Sequence, residues 1–296
     1  MSEFRSPLHD PDPPSFGGDE TVRTRTETVR TGAPLTGRAI PRRRFGRLRW
    51  LLRVATWSAT LALATVLGLI VLYRFVDPPT TTLIIGQRLA GIAIDRRPVA
   101  IGRISPNLLR AVIASEDGQF CRHRGIDWRE LGAAIDAAQD GGARGGSTIS
   151  MQVIKNLFLW PSKSYLRKAL EIPLTLVMEA LWPKRRVLEV YLNIAEWGPG
   201  VFGAEAAAEH HFRKPSGRIT EHEATLLAVA LPNPFTRVAG KPSANLQRVA
   251  AVIERRVKVM GSRADCVLGT AARSPPAAGL RQERPMAGRW LAAAAN

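Results

Sequence analysis

The sequence predicts a mostly helical domain that follows a single membrane-spanning helix. Residues 54–73 contain no charged side chain, and about 20 apolar residues are enough to cross a bilayer as a helix. Between residues 99 and 260 apolar positions recur at helical spacing, and alternating strand patterns of useful length are missing. Residues 74–98 are predicted to be a linker. The flanks, residues 1–53 and 261–296, are predicted to be disordered.

The charges around the apolar segment predict its orientation. Six arginines lie between residues 42 and 53, whereas Arg74 alone stands close behind the segment. The positive-inside rule then places the N-terminus in the cytoplasm and residues 99–260 across the inner membrane, in the periplasm. A signal peptide would have a shorter apolar core followed by a small-residue cleavage site. A buried core helix remains the alternative.

Composition narrows the class of partner. The chain has 42 Lys and Arg against 25 Asp and Glu, a formal net charge of +17. This excess favours an anionic partner, which could be nucleic acid, a membrane surface or a phosphorylated substrate. Because the sequence has no nucleic-acid-binding motif, the membrane surface and the phosphorylated substrate are favoured. The two cysteines, Cys121 and Cys266, have no metal-ligand spacing. A disulfide between them is not expected either, because Cys266 lies in the tail predicted to be unfolded.

The first chemistry-bearing stretch is SEDGQFCRHRGID, residues 115–127. Ser105 and Pro106 begin a helix that Gly118 ends, so Glu116 and Asp117 fall in its last turn. The helix dipole and the neighbouring acid raise a carboxyl pKa there, whereas the following Arg-His-Arg cluster lowers it. A solvated turn and a catalytic base remain equally open from this stretch alone.

The second stretch, GGSTISMQVIKN, spans residues 145–156. Two glycines lead into Ser147 and Thr148, which predicts a loop feeding a helix N-terminus and therefore an anion site suited to phosphate. Thr148, Gln152 and Lys155 or Asn156 then share one face. The alternative is an ordinary capped helix. The spacing is not that of a P-loop.

The third stretch, residues 163–171, places Glu171 one helical turn after Arg167. It is either a surface ion pair or a second active-site carboxylate held beside cations. The apolar and aromatic run at 157–161, followed by basic residues, is typical of a membrane-interface surface, although a buried helix end fits as well. The stretch from Lys184 to Phe212, with small residues at 203–208, is interpreted as scaffold.

Together these stretches resemble the family 51 glycosyltransferases, the peptidoglycan polymerases. The family's E-D-x-x-F-x-x-H-x-G matches Glu116–Gly125, and its G-G-S-T-I-x-x-Q-x-x-K-N matches Gly145–Asn156. Its R-K-x-x-E matches Arg167–Glu171, its Y-L-N-x-x-x-x-G matches Tyr191–Gly198, and its G-x-x-G-x-x-x-A-A matches Gly200–Ala208. The resemblance covers roughly residues 99–255.

The resemblance implies an all-α, lysozyme-like domain in two lobes that acts on lipid II and the growing glycan strand beside the bilayer, among other cell-wall synthesis proteins. It implies that Glu116 is the general base and Glu171 a second catalytic carboxylate. The positions it implies for substrate binding are Asp117, Ser147, Thr148, Gln152, Lys155, Asn156, Lys163 and Arg167. No dedicated cofactor is implied; Mg²⁺ could assist the diphosphate, although no ligand cluster is visible.

Three positions depart from the family pattern. Met151 stands where Gln is common, Lys163 where Arg is usual, and His211 where Tyr is common. Neither an S-x-x-K nor a K-T-G motif occurs, so no transpeptidase is expected. The rival functions are a lytic transglycosylase or lysozyme-type hydrolase and a non-catalytic cell-wall scaffold. The scaffold would be expected to lack one of the two glutamates.

Overall fold

The computed structural model describes residues 43–139, 145–162 and 164–269. The chain divides between Ala55 and Thr56 into two units. The helices are α1 (Arg43–Tyr73), α2 (Thr82–Leu89), α3 (Pro106–Glu116), α4 (Trp128–Gln139), α5 (Ile149–Phe158), α6 (Tyr165–Leu181), α7 (Lys184–Ile194), α8 (Ala204–Phe212), α9 (Glu221–Ala230), α10 (Ala244–Lys258) and α11 (Asp265–Leu268). Short 3-10 helices span Ile101–Arg103, Ser216–Arg218 and Gly261–Ala264.

Helix α1 contains the apolar segment and begins earlier than the sequence predicted. Its stretch Gly46–Tyr73 is long and apolar enough to cross a membrane, with a mean hydropathy of 2.0, and only 6% of the 18-residue window that meets this criterion is buried. That exposure argues against the alternative of a buried core helix. The C-terminal end of α1 is tied to the domain, because Trp182 Nε1 donates to the Ile70 carbonyl at 2.8 Å and Arg186 Nε donates to the Tyr73 carbonyl at 3.0 Å.

Two groups of packed helices build the domain. Helix α3 packs against α9 and α10, and α5 packs against α6 and α7. The four alanines at positions 204, 206, 207 and 208 of α8 are fully buried. Their small side chains allow close packing of the helix, as the sequence indicated.

A small sheet joins three strands: β1 (Asp95–Arg96), β2 (Glu196–Gly198) and β3 (Val201–Phe202). Strand β3 lies in the middle, parallel to β1 and antiparallel to β2. Strands of two or three residues carry no readable alternation, which is why the sequence did not predict them.

The structure corrects the expectation about the cysteines. Cys121 and Cys266 form a disulfide that joins positions 145 residues apart in the chain. The residues from 261 to 268 are not disordered, since they form the last 3-10 helix and α11, with Ala264 and Val267 buried in the core. A few buried side chains and one covalent bond fix a segment that was too short and too polar to be recognised as folded.

We predict that opening this disulfide destabilises the domain. A cross-link that closes so long a loop restricts the unfolded chain, and removing one costs on the order of 2–5 kcal/mol. Cys121→Ser and Cys266→Ser should therefore both lower the thermal midpoint of the detergent-solubilised protein, and dithiothreitol should do the same to the wild type. The double serine variant is the control, because the reductant should leave its midpoint unchanged. A wild-type midpoint insensitive to reduction would contradict the prediction.

Candidate active site

Two adjacent acids of the candidate site lie at the C-terminal end of helix α3. Ser105 caps its N-terminus, with Oγ accepting from the Asn107 amide at 3.3 Å, and Pro106 occupies the first turn. The helix ends at Glu116, and Asp117 is its C-terminal cap. The predicted placement of both acids at the end of this helix is confirmed.

Glu116 lies in an environment that favours its protonated form. Burial is the main cause of its raised pKa, and the nearby Asp117 raises that pKa further. The Gln152 amide, which donates to Glu116 Oε2 at 3.0 Å, and the charge of Lys155 both act in the opposite direction. The Tyr191 hydroxyl donates in turn to Gln152 Oε1 at 3.2 Å, and this bond orients the amide. The carboxyl group is thus held in place by Gln152 on Oε2, and Oε1 has only a long contact of 3.5 Å from Ser115 Oγ.

Asp117 has a different role, because both of its oxygens are committed to the protein. The side chain contacts His123 Nε2 at 2.9 Å and accepts from the backbone amide of Ile149 at 3.1 Å. Thr148 Oγ1 accepts from the Met151 amide at 3.2 Å in the same helix turn. The anion at the N-terminus of α5 is therefore the protein's own Asp117, which corrects the expectation of a phosphate site there.

The loop between α3 and α4 has one position that only glycine fits. Gly125 has a φ of +84°, and a Cβ there would lie 2.8 Å from Glu179 Cγ. Its carbonyl oxygen accepts a hydrogen bond from the Thr148 hydroxyl. Gly125 and Thr148 together fix the distance between this loop and α5.

A second group of charges surrounds Glu171, which is only 1% exposed. Arg167 Nη1 donates to one carboxylate oxygen and Lys168 Nζ to the other, the latter at 2.9 Å. Lys168 Nζ also donates to Ser147 Oγ at 2.9 Å. Such burial rules out the surface ion pair that the sequence left open. Helix α6 and the loop before α5 are joined through this cluster.

Lys155 interacts electrostatically with both Glu171 and Glu116. Burial is the main cause of its lowered pKa, Glu171 and Glu116 raise that pKa, and the nearby Arg167 and Lys168 lower it. Among the residues that the structure describes, the Lys155 side chain forms no hydrogen bond or ion pair. Its ammonium group is therefore available to a ligand.

The acids open onto a cavity of about 490 Å³. Glu116, Asp117, Ser147 and Thr148 all line it. Asn156 instead lies with Lys155 beside a smaller cavity of about 110 Å³, and its carbonyl oxygen accepts from Thr82 Oγ1 at 3.1 Å. Lys163 lies outside the described residues. Tertiary packing thus brings most of the predicted site residues to the walls of two cavities.

The comparison with known families agrees with this geometry. A family model described as Transglycosylase matches residues 85–257. The chain belongs to the transglycosylase family. Its predicted all-α, lysozyme-like fold class is confirmed by this membership together with the helical architecture.

Three relatives of this transglycosylase carry the name biosynthetic peptidoglycan transglycosylase. The protein from Agrobacterium fabrum is 50% identical over 191 residues, which are 64% of this chain and 84% of the relative. The one from Rhizobium leguminosarum bv. trifolii is 47% identical over 234 residues, 77% of this chain and 99% of the relative. The one from Rhodospirillum centenum is 50% identical over 227 residues, 75% and 98% of the two chains.

Sequence reasoning missed two side chains of the transglycosylase site. Lys168 precedes Glu171 by three residues within the R-K-x-x-E motif, and that helical spacing could have indicated the ion pair. Tyr191 was interpreted as scaffold. Its contact with Gln152 joins α7 to α5, so no local pattern could have revealed it.

Two of the three departures from the family pattern are accommodated by packing. Met151 is fully buried, and its sulfur lies 3.8 Å from Lys168 Nζ. His211 Nε2 contacts the Trp197 carbonyl oxygen at 2.9 Å, and its Nδ1 accepts from the Gly240 amide at 3.3 Å. Burial lowers the pKa of His211, which agrees with a neutral ring bridging these two backbone groups.

The carboxylates of the site do not suit a bound divalent ion. Asp117 is occupied by His123 and Ile149, and Glu171 by Arg167 and Lys168. Within the described ranges no group of three or more His, Cys, Asp or Glu side chains is arranged to hold a metal. We therefore derive no step through Mg²⁺.

Removing the charge of Asp117 and removing the charge of Glu116 should have opposite effects on the free energy of unfolding. Asp117→Asn removes a buried charge that two partners bind, and hydrogen bonds to charged groups contribute about 1.5–3 kcal/mol each. The free energy of unfolding should fall by roughly that amount in urea titrations at neutral pH.

Glu116→Gln is the matched control. Because the folded-state pKa of Glu116 is raised, the native state binds its proton more tightly, and this contribution to stability is lost as the pH rises through the folded pKa. The variant should equal or exceed the wild type at neutral pH, and the difference should vanish at acid pH. A similar loss of stability in both variants would contradict these assignments.

Proposed function

We propose that this transglycosylase polymerises peptidoglycan glycan strands from lipid II. The observation that carries the proposal is a buried carboxyl of raised pKa, Glu116, next to the unpaired ammonium of Lys155. The names of the relatives support the direction of the reaction, since they describe biosynthetic peptidoglycan enzymes. A base and a separate cationic site are what transfer from a diphosphate donor to a hydroxyl acceptor requires.

Glu116 is the general base in this proposal. One of its oxygens, Oε2, accepts from Gln152, which leaves Oε1, with only a long contact of 3.5 Å from Ser115 Oγ, to face the substrate. The 4-hydroxyl of the acceptor GlcNAc gives its proton to the carboxylate while its oxygen attacks C1 of the donor MurNAc. The C1–O bond to the diphosphate breaks, a β-1,4 link forms with inversion, and undecaprenyl diphosphate leaves. A raised pKa makes the carboxylate a stronger base near neutral pH.

The cations beside Glu116 suit the leaving diphosphate. Lys155, Arg167 and Lys168 carry three positive charges around the single negative charge of Glu171. The surplus stabilises the charge that develops on the leaving group, and burial strengthens this interaction. Ser147 and Asn156 lie at the edges of this region and are proposed as substrate contacts. Lys163 is proposed as a further diphosphate contact only because the family pattern has a basic residue at this position.

Glu171 acts as a positioning residue in this scheme. Both of its oxygens are engaged by Arg167 and Lys168, so neither is directed at a sugar carbon as a nucleophile would be. The carboxylate holds two cations in fixed orientation. It also partly offsets their repulsion of Lys155.

A lysozyme-type hydrolase is the rival enzyme. It needs a carboxyl and a water at the glycosidic bond but no cationic site for a diphosphate. Lys155, Arg167 and Lys168 therefore favour synthesis over hydrolysis. The proposal includes no transpeptidation, because the sequence contains neither motif of that chemistry.

We propose that α1 anchors the domain on the periplasmic face of the inner membrane. The arginines before the apolar segment support this orientation, and the Cys121–Cys266 disulfide requires an oxidising compartment. The experiment alkylates free thiols in intact cells before lysis, so that the oxidation state of Cys121 and Cys266 reports the compartment of the domain. An oxidised pair on a non-reducing gel is expected, and two alkylated cysteines would contradict export of the domain.

Purified full-length protein should convert labelled lipid II into glycan polymer, and Glu116→Gln should lower that rate by at least about 100-fold, as loss of a general base does. The variant must be folded, which its unfolding midpoint shows. Cleavage of finished glycan without polymerisation would overturn the proposal in favour of hydrolysis.

Gln152→Leu is a control that tests whether Glu116 is the group that titrates in the pH profile of polymerisation. Removing the amide takes away a hydrogen bond that lowers the pKa of Glu116, so that pKa rises. Polymerisation should persist, with the acid limb of its pH profile displaced to higher pH. An unmoved acid limb would indicate that Glu116 is not the titrating base.

A further inference from the structure

The C-terminal segment, defined here as residues 256–268, contributes to the cavity that contains Glu116. Arg256 comes from the last turn of α10 and Arg263 from the following 3-10 helix, and both line the same 490 Å³ cavity as the base. Val259 and Met260 complete this part of the lining. Residues that lie about 140 positions after Glu116 thus form a wall of its cavity.

Three kinds of contact hold this segment in place. Met260, Ala264 and Val267 are buried in the core. Arg185 Nη1 donates to the Val267 carbonyl oxygen at 2.8 Å. The disulfide joins Cys266 to Cys121, five residues after the base. The backbone that carries Arg263 is therefore fixed relative to Glu116.

The two arginines are free to bind a ligand. Within the described parts of the chain neither the Arg256 nor the Arg263 side chain forms an ion pair or a hydrogen bond. Four acids share this lining, Glu116, Asp117, Asp127 and Glu130, and within the described residues none of them forms an ion pair with either arginine. Asp117 is paired with His123, and Asp127 caps α4 by accepting from the backbone amides of Arg129 and Glu130 at 3.1 Å. Because those acids repel an anion, a negatively charged group is confined to the arginine wall.

We propose that Arg256 and Arg263 bind the carboxylates of the peptide that the substrate's sugar carries. The inference rests on the proposed function. The diphosphate has its own cations, Lys155, Arg167 and Lys168, and none of them lines this cavity. The planar guanidinium matches a carboxylate with two parallel hydrogen bonds. The peptide branches from the sugar next to the reacting GlcNAc, which places it in the cavity that Glu116 lines.

The test compares two substrates and a matched set of variants. Arg256→Ala, Arg263→Ala and the double variant are assayed on lipid II with its native peptide and on lipid II whose peptide carboxylates are amidated. Arg255→Ala is the control, because this exposed neighbour on α10 does not line the cavity. Unfolding midpoints confirm that all variants are folded.

On native lipid II the double variant should raise KM about tenfold with little change in kcat, and Arg255→Ala should leave both constants unchanged. On amidated lipid II the wild type should already show the raised KM, and the double variant should add nothing. An equal loss on both substrates would show that the arginines bind the diphosphate instead, which overturns the proposal. An unchanged KM on native lipid II overturns it as well. If the wild type makes no polymer at all, the proposed function fails rather than this inference.

Discussion

The buried carboxylate of Asp117 is the interaction on which the site depends. It joins the C-terminal end of α3 to His123 in the following loop and to the first amide of α5. In both bonds the negative charge of Asp117 meets a donor, His123 Nε2 or the backbone amide of Ile149, that has no other partner in its own loop or helix. Because α3 carries Glu116 and α5 carries Gln152 and Lys155, this one side chain sets the distance between Glu116 and the residues that adjust its pKa.

In the proposed mechanism the site separates two electrostatic tasks that would otherwise conflict. A base needs a raised pKa, which burial gives to Glu116, whereas a leaving diphosphate needs cations, which would lower that pKa. The chain keeps Arg167 and Lys168 on Glu171, so that Lys155 is the principal cation acting on Glu116. The carboxylate of Glu171 thus limits how far the neighbouring cations lower the pKa of Glu116.

Much of this could be predicted from local patterns. The cap at Ser105 and the break at Gly118 placed Glu116 at the end of α3, since helix boundaries depend on residues within one turn. The apolar segment of α1 follows from composition and length alone. The partner of α5's N-terminus was predicted wrongly, because its geometry indicates an anion but not whether the anion is a ligand or Asp117.

The sequence by itself determined the helical class, the apolar segment of α1 and the placement of Glu116 at the end of α3, because each rests on composition or short-range spacing. Only the tertiary structure decided that Glu171 is buried with two cations, that Tyr191 orients Gln152, and that Cys266 is bonded to Cys121. These contacts join residues on different helices or far apart in the chain, or depend on burial, and no periodicity encodes which faces meet. Packing therefore turned a set of separate motifs into one site.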